Sequence, residues 1–305
     1  MKVYYHLDEF EKPEKTVVTT GTFDGVHVGH QKIISRLVDV ANKTGAESVI
    51  LTFFPHPRMV LHQDLDIKLI QTLKERIREL GKTGLDHLII HPFSKEFSRL
   101  SSLEFVRNIL VNQLGVESLV IGYDHHFGRN REGTFEHLKE FGPVYGFKVE
   151  EIQVQDVDQI SVSSTKIRKA LNAGDVISAA TFLTRPFELE GVVVKGKQLG
   201  RKLGFPTANI QISESYKICP KNGVYAVDVL HDETYYKGML NIGYRPTVDG
   251  EDLSIEVHIF NFDKQIYSET IRVFLNKMIR EEIKFDSISE LKKQLEKDKI
   301  QVENG

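Results

Sequence analysis

The chain reads as an α/β domain built on a parallel sheet, followed by an antiparallel β-barrel that closes with a C-terminal helix. Three observations predict this. From Thr16 to about Leu183, β-branched runs alternate with segments of helical apolar spacing, the pattern of βαβ units. After Thr184-Arg-Pro186 the grain changes to short β-rich runs split by Gly, Asp and Asn turns, as in antiparallel sheets and barrels. The last stretch returns to a helical pattern. Two domains are therefore expected, over residues 1–183 and 184–305.

Each element has its own signal. Lys15-Thr-Val-Val-Thr-Thr20 is β-branched and reads as a buried strand. A glycine-rich turn follows, and then Ile33, Ile34, Leu37, Val40 and Ala41 stand at helical spacing. Ser48 to Phe54 is the next strand; Leu69, Leu73, Ile77 and Leu80 mark a helix closed by Gly81, and Leu88 to Ile90 is strand-like. Ser101 and Glu104 form a capping box before Phe105, Ile109 and Leu110. Gly115 ends that helix and Ser118 to Ile121 returns as a strand. A helix around Phe135 to Phe141, a strand from Phe147 to Val154 and a helix opening at Val162 complete the first half. In the second half, strands are expected over Phe187 to Lys195, Gly223 to Leu230, Thr234 to Asn241, Ser254 to Phe260 and Thr270 to Lys277. Ser287 and Glu290 cap a final helix with Ile288, Leu291 and Leu295 on one face.

Composition narrows the function. The 305 residues are 40% hydrophobic and 27% charged, with a net charge of −3, so the basic footprint of a nucleic-acid binder is missing. A single cysteine, Cys219, excludes an intramolecular disulfide and fits a reducing cytosol. The first ten residues carry acids where a signal peptide needs an apolar core. No run approaches the ~20 apolar residues of a membrane-spanning helix, which excludes a transporter. The expectation is a cytoplasmic protein without nucleic-acid or membrane partners.

Gly21-Thr-Phe-Asp-Gly-Val-His-Val-Gly-His30 is the densest motif. It lies between a strand and a helix, where free backbone N–H groups and the helix dipole favour an anion. Phe23 and Gly25 lie in the turn, and Gly25 lets a phosphate approach the backbone closely. His27 and His30 supply side-chain donors at the same place. A solvated surface loop or a metal-binding His pair are the bland alternatives; the metal reading lacks a third ligand at a useful spacing.

Three later segments sit just after predicted strands or at a helix start. Phe53-Phe-Pro-His-Pro57 joins aromatic, proline and imidazole groups that suit the edge of a flat ring. Gly122-Tyr-Asp-His-His-Phe-Gly128 precedes Arg129 and Arg131. Val162-Ser-Ser-Thr-Lys-Ile-Arg168 opens a helix with hydroxyls and an arginine suited to a triphosphate. Alone, these are a rigid turn, an aromatic loop and a serine-capped helix. Together with the first motif they resemble, in order, the H-x-G-H nucleotidylyltransferase superfamily and its bacterial FAD synthetase branch. The resemblance implies a Rossmann-like parallel-sheet domain. His27 and His30 then contact ATP phosphates in the transition state, in an ATP site that includes Phe23 and Gly25. Ser164, Thr165 and Arg168 hold the phosphates from the opposite side, and Phe54, His56 and Asp124 line the FMN pocket. Where the family often has an aromatic after the aspartate, this chain has His125-His126.

Gly191-Val-Val-Val-Lys-Gly-Lys-Gln198 fits G-x-x-x-x-G-K but ends in Gln198 rather than Ser or Thr. Three valines suit a strand and no helix is expected next, so this is not a P-loop. The following Gly200-Arg-Lys-Leu-Gly-Phe-Pro-Thr-Ala-Asn209 is similar to the riboflavin kinase signature. Thr207 and Asn209 present two hard oxygens on one side of an extended chain, fit for Mg²⁺ shared with ATP, and Arg201 approaches the phosphates. The tetrapeptide Pro-Thr-Ala-Asn by itself is a turn. Ser254-Ile-Glu-Val-His-Ile-Phe260 alternates as a strand, with Ser254, Glu256 and His258 on one face, expected to line a cavity of the barrel. The resemblance makes Glu256 the general base of the kinase. It also brings Asn241-Ile-Gly-Tyr-Arg-Pro246 and Arg280 near the flavin, with Arg272 competing for the arginine's role.

The resemblance spans nearly the whole chain. It implies an enzyme of two activities: ATP phosphorylates riboflavin to FMN in the barrel, and a second ATP adenylylates FMN to FAD in the first domain, with Mg²⁺ accompanying ATP. Flavin is then substrate and product, not a bound redox group. Two alternatives stay open at the level of sequence: a chain with one working activity, and a flavin-sensing module without turnover.

Overall fold

The structure is a computed structural model that describes residues 1–61, 66–122, 125–152, 162–196, 199–247 and 250–304. It divides into two compact units, Met1–Ser164 and Thr165–Gly305.

In the first unit, six strands form one sheet in the order β1-β4-β3-β2-β5-β6: β1 Lys2–Tyr4, β2 Thr16–Thr20, β3 Glu47–Phe53, β4 His87–His91, β5 Val116–Gly122 and β6 Lys148–Ile152. Every pairing is parallel. Successive strand residues point to opposite faces, and the core follows that alternation. Val18, Val49, Leu51, Ile89, Leu119 and Ile121 pack with Phe105, Val106 and Leu110 on one side. Val17, Ile50, Leu88, Ile90 and Val120 pack with Ile34, Leu37, Ala41 and Leu80 on the other. Burying each of these side chains stabilises the fold by ~1.5–3 kcal/mol. With both faces covered, the strands read as continuous apolar runs rather than alternating ones.

The covering helices are α1 Val28–Thr44, α2 Pro57–Leu61, α3 Leu73–Leu80, α4 Ser102–Glu104, which runs on as a π-helix through Phe105–Gln113, and α5 Phe135–Tyr145. The expected capping box forms at Ser101 and Glu104. From β2 the chain adds β3 and β4 on one side and then β5 and β6 on the other. Strand order thus reverses at β2, and in such sheets ligands bind outside the carboxyl ends of the strands at that point, here β2 and β5.

The second unit holds most of α6 Ser164–Asn172, then α7 Val176–Leu183 and a closed barrel in the order β10-β11-β8-β7-β12-β9. Its strands are β7 Phe187–Val194, β8 Ala208–Gln211, β9 Gly223–His231, β10 Thr234–Thr247, β11 Gly250–Ile259 and β12 Thr270–Arg280. Every pairing is antiparallel. The β9–β10 hairpin turns on Asp232 and Glu233, both at positive φ, the geometry that matches strand twist in a two-residue turn. A short helix, α8 Leu199–Leu203, and the C-terminal α9 Ile288–Glu303 complete the unit. Ser287 caps α9 through the N–H of Glu290. The helix α8 corrects one expectation, since a helix does follow the Gly191–Gln198 stretch; Gly191 to Val194 of that stretch are strand β7, and Lys197 and Gln198 lie outside the described residues.

Candidate active sites

Three of the motif segments meet at one edge of the parallel sheet. The turn after β2 holds its backbone where L side chains rarely go: φ is +47° at Phe23 and +41° at Val26, with Gly25 at +93° between them. Such residues cost of order 1–3 kcal/mol each unless their surroundings hold them. Here the surroundings do. The carboxylate of Asp24, 1% exposed, accepts the N–H groups of Ile70 (3.1 Å) and Gln71 (3.2 Å). Fully buried Arg76 donates from Nη1 to the Thr22 carbonyl at 2.6 Å. Gln31 donates to Val26 O at 3.0 Å, and Ser164 Oγ donates to Asp24 O at 2.9 Å.

The turn delivers two imidazoles to the start of α1. His27 is the helix N-cap, and its Nδ1 accepts the N–H of His30. That bond puts the neutral ring's proton on Nε2, which is left as the donor. The rings of His27 and His30 lie 3.6 Å apart between centroids and 17° from parallel. Burial drives the His30 pKa well below its ordinary value, and the nearby His27 and Arg76 add to the effect. His30 is therefore held short of protonation, at a helix N-terminus that itself favours negative charge.

Phe54 and His56 follow β3 at the same edge. Phe54 is half-buried, and His56 is buried with Nδ1 accepting the Arg58 N–H at 3.2 Å. Asp124 lies outside the described residues. His125, where the family often has an aromatic, meets Thr20 Oγ1 through Nε2 at 3.2 Å, and burial takes its pKa down to about 4. A neutral imidazole packed beside Phe127, 23° from parallel, keeps the ring character of that position. Ser164 spends its hydroxyl on the turn; Thr165 is exposed and Arg168 half-buried, and both are counted with the second unit.

In the barrel, Asn209 on β8 pairs with Glu256 on β11. Thr207 Oγ1 donates to Glu256 Oε2 at 3.0 Å, and Ser254 Oγ donates to Oε1 at 3.2 Å. A Cβ at Gly196 would meet the Asn209 carboxamide, so glycine there lets the carboxamide keep its present place. Arg201 is exposed on α8.

One expectation changes here. The face bearing Ser254, Glu256 and His258 pairs with Gly243, Asn241 and Met239, and Met239 packs with Phe205, Phe260 and Val302 of α9. Since α9 lies outside a closed barrel, this is the outer wall, and the buried Leu240, Ile242, Ile255 and Val257 of the alternate face fill the interior. Arg280, expected near the flavin, gives its guanidinium to Asp298: Nε lies 3.1 and 3.0 Å from the two carboxylate oxygens and Nη2 2.8 Å from one. Its rival Arg272 is likewise committed, to Glu188 at 2.6 Å.

Sequence reading missed Arg76 and gave Asp24 no role, although Asp24 stands inside the first motif. Nothing in the sequence around Arg76 points to Thr22 and Thr52, which lie 54 and 24 residues away.

Comparison with known proteins assigns a family to each half of the chain. A family model for FAD synthetase matches residues 9–166 and one for riboflavin kinase matches residues 183–304. The chain is 38% identical over 287 residues to the bifunctional riboflavin kinase/FMN adenylyltransferase of Buchnera aphidicola, covering 93% of this chain and 91% of that one. It is 38% identical over 301 residues to the protein of the same name from Bacillus subtilis (97% and 93%) and 36% over 288 residues to that of Escherichia coli (94% and 91%). A crystal structure described as a macrolide-efflux protein from Streptococcus pneumoniae superposes with a TM-score of 0.90 at 33% identity, covering 100% of this chain and 99% of that one. No helix among the described residues is long and apolar enough to cross a membrane. The chain belongs to the bifunctional riboflavin kinase/FMN adenylyltransferase family, enzymes that phosphorylate riboflavin to FMN and adenylylate FMN to FAD with ATP.

Proposed function

We propose that the two reactions use the two residue sets described above, with the chemical boundary near Thr184. The observation that carries the kinase assignment is the hydrogen-bonded set on β11, with Thr207 and Ser254 both donating to Glu256. These bonds aim the carboxylate. Glu256 accepts the proton of the ribityl 5′-hydroxyl as that oxygen attacks the γ-phosphorus of ATP and ADP leaves, a role worth ~10²–10⁴ in rate. Arg201 meets the phosphates.

Thr207 and Asn209 offer neutral oxygens beside a carboxylate, a donor set that fits Mg²⁺, which takes few protein ligands and shares substrate phosphates. The metal would supply charge neutralisation there. Because Thr207 donates its proton to Glu256, its oxygen lone pairs face away from that bond.

In the first unit an oxygen of the FMN phosphate attacks the α-phosphorus of ATP and pyrophosphate leaves. No protein nucleophile is needed; catalysis is positioning and charge stabilisation. His27 donates from Nε2 and His30 from the ring beside it, in a cradle that includes Phe23 and Gly25, while Phe54, His56 and Asp124 bound the flavin. Thr165 and Arg168 are the residues that the resemblance adds for the ATP phosphates. Arg280, with its fork filled by Asp298, serves the barrel's architecture rather than the flavin directly. A cytoplasmic setting belongs to the same reading, because both steps consume ATP.

The assignment of the first site is tested with His27→Ala and His30→Ala. Each is expected to suppress FAD formation from FMN by at least tenfold and to leave riboflavin phosphorylation intact. Unchanged FAD synthesis in both variants would remove the histidines from the site.

A further inference from the structure

His258 stands two residues beyond Glu256 on the same face of β11 and is only 8% exposed. Its Nδ1 lies 2.7 Å from the carbonyl oxygen of Pro206. A carbonyl only accepts, so Nδ1 carries the proton. The ring is wedged between Phe205, edge-on at 5.3 Å, and Phe260 at 5.4 Å, and burial holds its pKa below the ordinary value.

Pro206 immediately precedes Thr207, whose hydroxyl donates to Glu256. Two adjoining loop residues are thus tied to two residues of one strand, Pro206 to His258 and Thr207 to Glu256. One hydrogen bond leaves a loop free to pivot; two, spaced ~7 Å apart along the strand, fix its direction as well. The start of the loop is secured independently, since the Phe205 N–H donates to Gly200 O at 2.9 Å and Phe205 is buried against Met239 and Val302.

We propose that His258 is a positioning residue of the riboflavin kinase step: its Nδ1–H holds the Pro206 carbonyl and thereby sets where Thr207 stands relative to Glu256. The inference rests on the assignment of the kinase site to Thr207, Asn209 and Glu256. Displacing reacting groups by ~1 Å costs up to ~10²-fold in rate, so loss of one of two ties is expected to cost about tenfold.

The test uses the full chain with His258→Phe, His258→Gln and His258→Asn, and Glu256→Gln in parallel. Phe keeps the ring and removes the donor. Gln carries its donor further along the side chain, and Asn places an N–H close to where Nδ1 stands. Riboflavin phosphorylation, FMN adenylylation and thermal unfolding are followed for each. The expected result is a tenfold or greater fall in kinase kcat for Phe and Gln, with KM for riboflavin within about twofold and FMN adenylylation unchanged. Asn is expected to recover kcat to within about threefold. The positioning role is overturned if His258→Phe keeps kcat within twofold, or if Asn loses as much as Phe. Normal riboflavin phosphorylation by Glu256→Gln would overturn the site assignment itself, and the positioning role with it. Loss in Glu256→Gln beside an unaffected His258→Phe discards the positioning role alone.

Discussion

Three histidines of the first unit are held as neutral rings by where they sit. Burial lowers His91 and His125 to about 4 and His30 well below its ordinary value. In the unfolded chain the same rings protonate as pH falls through the ordinary 6.5; folded, His91 and His125 resist until near 4, and His30 too stays neutral well below 6.5. Between those limits the unfolded state binds more protons, so stability rises with pH. It is full above 6.5 and is lost progressively as pH falls toward 4. Amide exchange in β2 and β5 of the full chain is therefore expected to be faster at pH 5 than at pH 7, once corrected for the intrinsic rate. Equal protection at the two values would mean these rings are already charged.

At this scale the sequence was legible where chemistry is packed into short motifs. His27 and His30 lie three apart beside Gly25, and Thr207 and Asn209 two apart. It was opaque where a partner is remote: nothing near Arg76 announces Thr22, and nothing near Arg280 announces Asp298, 18 residues on and turned inward from a charged helix.

The elements that sequence reasoning found are those whose apolar period runs over several turns or pleats, such as α1 and β3. It missed β1, three residues on the sheet edge, and β8, four residues that start inside the turn-like Pro-Thr-Ala-Asn. Both are made by pairing rather than by propensity: β1 lies along β4, and β8 between β7 and β11.

The helix α9 is fastened in a similar long-range way. Asp298 is 1% exposed and accepts from Arg280 on β12, while Gln294 Nε2 donates to it at 2.8 Å. Removing one partner of a buried pair leaves an uncompensated charge and costs ~3–5 kcal/mol. Asp298→Ala is expected to lower the unfolding transition of the barrel by several degrees, with any kinase loss tracking unfolding rather than a raised KM for riboflavin. A variant of normal stability with a raised riboflavin KM would return Arg280 to the flavin.

For the whole molecule, the contact division falls between Ser164 and Thr165, whereas the riboflavin kinase family match begins at residue 183. The intervening helices belong physically with the barrel. Helix α7 rests on β7 and β12, Lys221 N donates to Leu171 O at 3.0 Å, and a Cβ on Gly174 would strike Met278. A Thr165–Gly305 fragment is accordingly expected to fold and phosphorylate riboflavin without making FAD. A Thr184–Gly305 fragment strips the cover from β7 and β12 and is expected to melt at a clearly lower temperature. Equal melting of the two would show that the helices do not support the barrel.

The central claim is that two chemistries run on separate residue sets in one chain. It is tested most directly by giving full-length Glu256→Gln either riboflavin or FMN with Mg-ATP and resolving the products chromatographically. Gln keeps the shape of the side chain but cannot take the hydroxyl's proton. The expected result is no FMN from riboflavin and wild-type conversion of FMN to FAD; FMN formed from riboflavin at the wild-type rate would contradict separate residue sets.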